Sequence, residues 1–151
     1  MEERYVIEQT RDIDEFEQQL LCNATREQQR DGHTRGKWNR LVQLYIRQKA
    51  ILEEYPFPEA LEEERTNLED DDSVIPSIKH ITQNIDLAEY EHFYRWGLKR
   101  IGTPNYRVIY TVENFWKVVL LHHFVKEYNG AIRTEDIEQA IERYAEYLIT
   151  Y

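Results

Sequence analysis

The chain has 151 residues, 19 of them Lys or Arg and 29 of them Asp or Glu, which gives a formal net charge of −10. This acidic balance argues against a strongly cationic nucleic-acid coat protein, because dense phosphate binding needs a surface rich in Lys and Arg. The hydrophobic fraction of 41% and the aromatic fraction of 13% are too high for a disordered protein, so we expect a single compact domain over residues 1–151.

The cysteine content and the apolar runs predict a cytoplasmic protein. Cys22 is the only cysteine and so has no intramolecular disulfide partner, which fits a reducing compartment. The sequence opens on acidic residues without the apolar segment of a signal peptide. The longest apolar run, residues 118–121, is too short to span a bilayer. We therefore expect no membrane association.

The first half of the sequence predicts a short strand and then a helix. Residues 4–10 have the β-branched and aromatic content of a strand. Asp12, with Glu15 three residues later, fits a capping-box start for the helix. Apolar residues then recur on one helical face, namely Ile13, Phe16, Leu20, Leu21 and Ala24.

A second helix is predicted over residues 37–55. Gly32 and Gly36 bracket the turn that precedes it, and the Pro-Phe-Pro sequence at residues 56–58 ends it. Its apolar stripe consists of Trp38, Leu41, Val42, Tyr45, the aliphatic stem of Lys49, and Leu52. Two helices joined by a glycine turn predict an αα-hairpin.

An acidic segment follows at residues 59–73, with eight acidic residues against one Arg and hence −7 of the total charge of −10. Such a block is usually a solvated loop or helix tip, and we favour that interpretation. The alternative is a docking site for a basic partner. A calcium site is not expected, because the glycine and ligand spacing of an EF-hand are absent.

The second half predicts strands and then a final helix. Residues 90–96 are rich in aromatic side chains, and residues 106–112 alternate as a strand does. A tight turn at Glu113-Asn114 and a strand over residues 115–125 complete an antiparallel hairpin. Thr134 caps the last helix, whose apolar stripe is Ile137, Ala140, Ile141, Tyr144, Leu148 and Tyr151. We expect an α+β fold, in which a small, mainly antiparallel sheet packs against a helical hairpin and a C-terminal helix.

A basic region lies inside this acidic chain. Residues 95–133 contain two acids and seven cations, namely Arg95, Lys99, Arg100, Arg107, Lys117, Lys126 and Arg133. Alternation places Arg107, Ile109 and Thr111 on one face of their strand, opposite an apolar face formed by Tyr106, Val108, Tyr110 and Val112. Arg107 is therefore expected to face away from the core, where an Arg beside other cations and aromatic rings suits phosphate binding and base stacking. An ordinary surface Arg is the alternative.

Two adjacent histidines, His122 and His123, are expected to point to opposite faces of a regular strand, which excludes joint metal ligation there. Alternation predicts that His122 shares a face with Leu120 and Phe124, and that His123 shares the other face with Leu121 and Val125. A structural role is favoured over acid–base chemistry for each. No Gly-rich phosphate loop, serine nucleophile elbow or Cys–His signature occurs, so the sequence predicts no NTPase, esterase or thiol protease.

Several short motifs occur in a fixed order in the second half of the chain. They are an I-P-S-I-K run at residues 75–79, Tyr94-Arg95, a Y-R-V-I-Y run at residues 106–110, a V-V-L-L-H-H-F-V-K run at residues 118–126, and a helix with A-x-x-R. In this order they resemble the L-P-x-x-K linker, the three strands and the last helix of the phage-derived, HigB-like branch of the RelE/ParE toxin superfamily. The resemblance covers residues 75–147.

The resemblance implies a RelE-like fold and a toxin of a type II toxin–antitoxin pair, partnered by a helix-turn-helix antitoxin. Such enzymes cut mRNA on the ribosome without a metal or other cofactor: the 2′-hydroxyl of the RNA attacks the adjacent phosphate, and cations of the protein stabilise the developing charge. By position, Arg107 matches the residue that grips the scissile phosphate, and Lys126 matches the Lys that ends the following strand. The remaining implied catalytic residues are Lys99 and Arg100, as the basic pair of the preceding strand. The implied RNA-binding residues are Arg95, and Tyr128 or Arg133 at the late position.

A different class of function is compatible with the same sequence. The chain is more acidic than a ribosome-binding toxin is expected to be, and residues 59–73 form an acidic insert. A non-catalytic, RelE-fold interaction module of phage origin, binding a basic protein through that insert, is therefore the alternative hypothesis.

Overall fold

The computed structural model describes residues 5–65, 74–82, 90, 92–114 and 116–150. In chain order, its elements are β1 (Val6–Gln9), α1 (Arg11–Asp31), α2 (Lys37–Leu52), α3 (Pro58–Glu64), β2 (Ser77–His80), β3 (Phe93–Leu98), β4 (Tyr106–Glu113), β5 (Lys117–Val125) and α4 (Thr134–Thr150). No helix in this part of the chain is long and apolar enough to cross a membrane.

The strands form one five-stranded mixed sheet in the order β1-β5-β4-β3-β2. The four strands from β2 to β5 are antiparallel to their neighbours, whereas β1 is parallel to β5. Asn114, at the turn between β4 and β5, has a φ of 55°, a left-handed conformation that Asn tolerates better than most residues. The α+β class, the predicted hairpin of strands and the mainly antiparallel sheet are confirmed.

The two faces of the sheet carry different layers. On one side, called here the hairpin face, α1 and α2 pack over the apolar residues of β3, β4 and β5, and Trp96, Val108 and Tyr110 are completely buried there. On the opposite side, called here the α4 face, Ile137 and Ala140 of α4 pack against the sheet. The predicted αα-hairpin and the packing of the last helix on the sheet are thus confirmed.

The α4 face departs from the sequence prediction over most of β4. Ile109 and Thr111 were expected to face outward, but they are 0% and 4% exposed because α4 covers them. Arg107 was predicted to face outward together with them. It is half-buried and lies near the beginning of β4, where α4 no longer packs. Both faces of β4 are therefore core-forming, and the open surface is confined to one end.

The helical hairpin differs from the prediction in its details. Thr10, in an extended conformation, occupies the N-cap of α1, so Asp12 lies in the first turn and is not the cap. Leu21 is 53% exposed and does not belong to the buried stripe. In α2, the buried side chains include Gln48, whose Oε1 accepts a hydrogen bond of 2.7 Å from Trp96 Nε1. A polar residue thus completes the core, because the indole N–H needs an acceptor once it is buried.

The acidic segment is described only in its first part. Residues 59–64 belong to α3, which begins with Pro58 in its first turn and buries Leu61. Residues 66–73 lie outside the described residues, as do Phe115 and Tyr151 of the predicted strand and helix.

Candidate functional site

Four cations meet on the α4 face, next to the end of the sheet that α4 leaves open. We call Lys79, Arg95, Arg107 and Lys126 the cationic cluster. Lys79 on β2 pairs directly with Arg95 on β3, and Arg107 on β4 lies in the next cross-strand row. Lys126 follows the last residue of β5. A cavity of about 250 Å³ is lined by Lys79, Arg95 and Lys126, so these side chains share one opening.

Burial and the like charges of the cluster lower the pKa values of two of its members. Partial desolvation lowers the pKa of Lys126, and the charges of Arg95, Arg107 and Lys79 lower it further. Burial likewise lowers the pKa of Arg107, with a further contribution from Arg95. Like charges disfavour each other's charged form, so an anion that enters the cluster relieves this repulsion.

Arg107 is held in place by a glycine on the neighbouring strand. Gly97 is its cross-strand partner, and a Cβ atom at Gly97 would lie 3.1 Å from Nη1 of Arg107. Nη1 donates to the side-chain oxygen of Asn105 and, over 3.1 Å, to the carbonyl of Tyr106. Nε is buried and has no hydrogen-bond partner among the described residues. The guanidinium is therefore fixed in position and still carries an unused donor, which suits the binding of an oxyanion.

An aromatic ring adjoins the cluster in the loop between β5 and α4. The ring of Tyr128 lies 5.5 Å from Nζ of Lys126 and 4.1 Å from the guanidinium carbon of Arg133. Nζ of Lys126 also donates to the carbonyl of Gly130 over 2.6 Å. The hydroxyl of Tyr128 accepts from the backbone N–H of Arg133 over 3.0 Å. The loop is thus folded on itself and places a stackable ring and a further cation beside Lys126.

Two of the predicted catalytic residues do not lie where the sequence placed them. Lys99 and Arg100 were expected on the strand before Arg107, but β3 ends at Leu98 and both residues belong to the turn that follows. Arg100 lines a separate cavity with residues of α2, described below. The predicted basic pair is therefore wrong as a strand feature. Arg95, which lies on that strand, and Lys79 are the cations that join Arg107 there.

The two histidines are linked through a carboxylate of α1. Nδ1 of His123 lies 2.6 Å from Oδ1 of Asp12, and the backbone N–H of His123 donates to the same oxygen over 2.9 Å. Nδ1 of His122 lies 3.5 Å from Oδ2 of Asp12, and its Nε2 lies 3.3 Å from Asp136 of α4. Residues 121–125 extend beyond β1, so Asp12 occupies a strand edge that β1 leaves unpaired.

The predicted faces of this strand are wrong for Leu120 and Leu121 because β5 contains a bulge, whereas His122 and Phe124 share a face as predicted. Ile109 pairs with His122 while the next residue, Tyr110, pairs with Leu120, so Leu121 is an extra residue. Leu121 consequently packs in the α4-face core, as His122 and its stacking partner Phe124 do, while Leu120 packs in the hairpin-face core. A β-bulge places two successive residues on one side, which simple alternation cannot anticipate.

Burial by itself raises the pKa of Asp12, but the hydrogen bonds from His122 and His123 outweigh it and hold the pKa well below the ordinary value of 3.8. Asp12 is thus a carboxylate at neutral pH and ties α1 to β5, while Asp136 ties α4 to His122. This network joins the three layers. Its geometry is that of a structural connection and fits the favoured structural role of the histidines.

Sequence reasoning missed three contributors to the site. Lys79 was noted only within a linker, because its strand has four residues and too little alternation to detect. Gly97 is a single glycine in a strand, a signal that marks a close approach of another group. Asp12 was assigned to a helix cap, since its partners lie 111 positions away in the sequence.

No protein-family model matches the chain, and no curated protein matches it in sequence. Function must therefore be inferred from the chemistry of the site. Among the described residues, no group of three His, Cys, Asp or Glu side chains is placed to hold a metal ion. What the cationic cluster offers is a preorganised set of positive charges with a neighbouring aromatic ring.

Proposed function

We propose that this chain is a RelE/HigB-like toxin, an endoribonuclease that cuts ribosome-bound mRNA with the cationic cluster around the scissile phosphate. The observation that carries the proposal is the convergence of four cations on one end of the α4 face. Three of them line one cavity, and the charge of the fourth, Arg107, lowers the pKa of Lys126. None of these four cations forms a salt bridge with another described residue, and an anion that binds among them relieves their mutual repulsion.

The proposed reaction uses the RNA's own nucleophile. The 2′-hydroxyl oxygen forms a bond to phosphorus and releases its proton to water, and the bond between phosphorus and the 5′-oxygen breaks. Arg107 and Arg95 stabilise the extra negative charge that develops on the phosphate oxygens in the transition state. Lys126, whose lowered pKa makes its ammonium group a better acid, donates a proton to the departing 5′-oxygen and is recharged from solvent. The products are a 2′,3′-cyclic phosphate and a 5′-hydroxyl.

The aromatic and cationic loop supplies base binding in this scheme. Tyr128 offers a ring face beside the phosphate site, and Arg133 stacks on the same residue. Stacking on a ring is tolerant of base identity, so these residues hold a nucleotide next to the scissile bond. None of the described residues that line the cavity is acidic. Acidic residues of α3 line a neighbouring cavity, which they share with Lys79.

Replacement of Arg107 by alanine tests the proposal. The loss of one charge-stabilising group is expected to lower the cleavage rate of ribosome-bound mRNA by about 100- to 1000-fold, and to abolish growth arrest when the protein is expressed. Arg143→Ala, which removes a cation paired with Glu146 on α4, is the matched control and is expected to leave cleavage unchanged. A helix-turn-helix antitoxin encoded beside this chain is expected to relieve the arrest.

The outcome that contradicts the proposal is a folded wild-type protein that neither cuts ribosome-bound mRNA nor arrests growth. In that case, the non-catalytic interaction module becomes the better hypothesis. Equal cleavage by wild type and Arg107→Ala would instead mean that the protein is a nuclease whose active site is not the cationic cluster.

A further inference from the structure

A second group of cations surrounds another cavity, where α2 begins and the turn between β3 and β4 meets it. We call Arg35, Lys37, Arg40 and Arg100 the turn cluster. With Ile101, which is 97% exposed, they line a cavity of about 250 Å³. Three separate segments contribute to it, namely the turn after α1, the first turns of α2, and the β3–β4 turn. None of the described residues that line it is acidic.

The start of α2 already has its own internal anion. The carboxylate of Glu27, which is 3% exposed, accepts hydrogen bonds from the backbone N–H groups of Trp38 and Asn39 over 3.1 and 3.0 Å. Gly36 leaves room for it, since a Cβ atom there would lie 2.2 Å from the carboxyl carbon. The free N–H groups of the helix start are thus satisfied from within the protein. The positive charge available to a ligand is that of the side chains above it.

The β3–β4 turn is held against α2 in a defined conformation. The carbonyl of Arg100 accepts hydrogen bonds from the hydroxyl of Thr103 over 2.8 Å and from its backbone N–H over 3.1 Å. Gly102 has a φ of 84°, and a Cβ atom there would lie 3.2 Å from the side chain of Lys37. The turn therefore lies directly on the Lys37 stem, and this contact brings Arg100 to the cations of α2.

Arg100 contains an unexplained donor. Its Nε atom is buried and has no hydrogen-bond partner among the described residues. A buried donor without an acceptor is destabilising, so it marks a position where a bound group or water is expected. Arg107 has the same property on the other side of the same turn. Arg100 lies near the beginning of the connection between β3 and β4, and Arg107 lies just after it, at the start of β4.

We propose that the turn cluster binds phosphates of the same RNA strand whose scissile phosphate occupies the cationic cluster. The strand would cross the β3–β4 turn, with backbone phosphates on both sides of it. This inference depends on the proposed function, because it takes RNA as the ligand. It explains why an acidic chain keeps, at a position remote from the α4 face, four cations that form no salt bridge with another described residue. It also assigns Lys37 and Arg100 to binding and not to cleavage.

The test compares RNAs of two lengths, about 4 and about 16 nucleotides, which bracket typical single-strand sites. Both carry 2′-O-methyl groups, so that they bind without being cut. The variant is Arg35→Ala/Arg40→Ala, whose side chains are exposed. The control is Arg11→Ala/Arg143→Ala. It also removes two positive charges, from residues of α1 and α4 that do not belong to the turn cluster. The affinity of each protein is measured over a range of salt concentrations.

For the long RNA, loss of two phosphate contacts is expected to reduce the slope of log affinity against log salt by about 1.4. The short RNA, which fits within the cationic cluster, is expected to bind wild type and variant equally. The control is expected to change neither, and the melting temperatures of all proteins are expected to agree. An unchanged slope for the long RNA, or an equal change in the control, contradicts the proposal that the turn cluster binds RNA phosphates. Failure of the proposed function is a separate result, in which Arg107→Ala alters the binding of neither RNA.

Discussion

The hairpin face and the α4 face of the sheet differ in how much of each is covered by helices. On the hairpin face, α1 and α2 pack over the sheet, and the aromatic residues there pack on one another, as Tyr45 and Trp96 do with ring centroids 5.2 Å apart. Among the described residues, the α4 face is covered around Phe93, Ile109 and Ile137, where α4 and the segment before it pack. The uncovered end holds the cationic cluster. The larger core and the proposed binding site thereby lie on opposite faces of the same strands.

This division explains why Arg107 tolerates partial burial. Its backbone lies in the central strand pair, where β4 is bonded to β3 and β5. The hydrophobic layer that fixes that backbone lies on the other side of the sheet, so the charged side needs no apolar contacts of its own. A rigid support with an open, charged surface is what preorganised electrostatic stabilisation requires.

The largest effect on stability is expected from removing a buried side chain of the hairpin face. Trp96→Ala removes a side chain that is 0% exposed and leaves Gln48 without the N–H it accepts. We expect a loss of about 3–5 kcal/mol in the free energy of unfolding, measured by urea denaturation. Trp116→Ala is the matched control, since Trp116 is 50% exposed, and its effect is expected to stay within about 0.5 kcal/mol. Equal effects would show that the hairpin face is not the main source of stability.

A smaller effect is expected at the connection between the two sides, where Asp12 meets both histidines. Asp12→Asn is expected to cost about 1 kcal/mol at pH 7, near the lower end for hydrogen bonds to a charged group because the site keeps some contact with water. The folded-state pKa of Asp12 is depressed, so its contribution is complete above the unfolded value of 3.8 and is lost as the pH falls below that value.

The difference in unfolding free energy between wild type and Asp12→Asn is therefore expected to shrink on acidification from pH 7 towards pH 2, as followed by denaturant titration at each pH. Glu15→Gln, which removes a charge from an exposed pair with Arg11 on the same helix, serves as the control with little change. A difference that stays constant below pH 3.8 would contradict the assigned role of the carboxylate.

The smallest effect on stability is expected at the open end, at Gly97. In Gly97→Ala, the new methyl group meets the far end of the Arg107 side chain, which can move, and the loss of a strand glycine offsets the crowding. We expect a change within about 1 kcal/mol in the free energy of unfolding. RNA affinity is expected to fall several-fold, because the guanidinium is displaced.

A double-variant cycle isolates this effect. Gly97→Ala is expected to weaken RNA binding in the wild-type background and to have no effect in the Arg107→Ala background, since the side chain it displaces is then absent. An equal loss of affinity in both backgrounds would mean that Gly97 acts through the strand and not through Arg107.

Local patterns predicted much of the fold. The alternation over residues 106–112 identified the core face of β4, and the apolar stripes of Ile13, Phe16 and Leu20 identified the inner face of α1. These predictions succeed because helix and strand periodicities are properties of neighbouring residues. The same reasoning failed at the bulge of β5, where one extra residue shifts His122 relative to Leu120, since a bulge depends on the partner strand and leaves no periodic trace.

The sequence by itself determined the longer helices and strands, the α+β class and the concentration of cations between residues 95 and 133. Only the tertiary structure decided which cations act together. It grouped Lys79 with Arg95, Arg107 and Lys126, and it separated Arg100 from them by the turn after Leu98. The physical reason is that charge composition is additive along a chain, whereas a binding site depends on strand register, on where α4 stops covering the sheet, and on a glycine that makes room for one guanidinium.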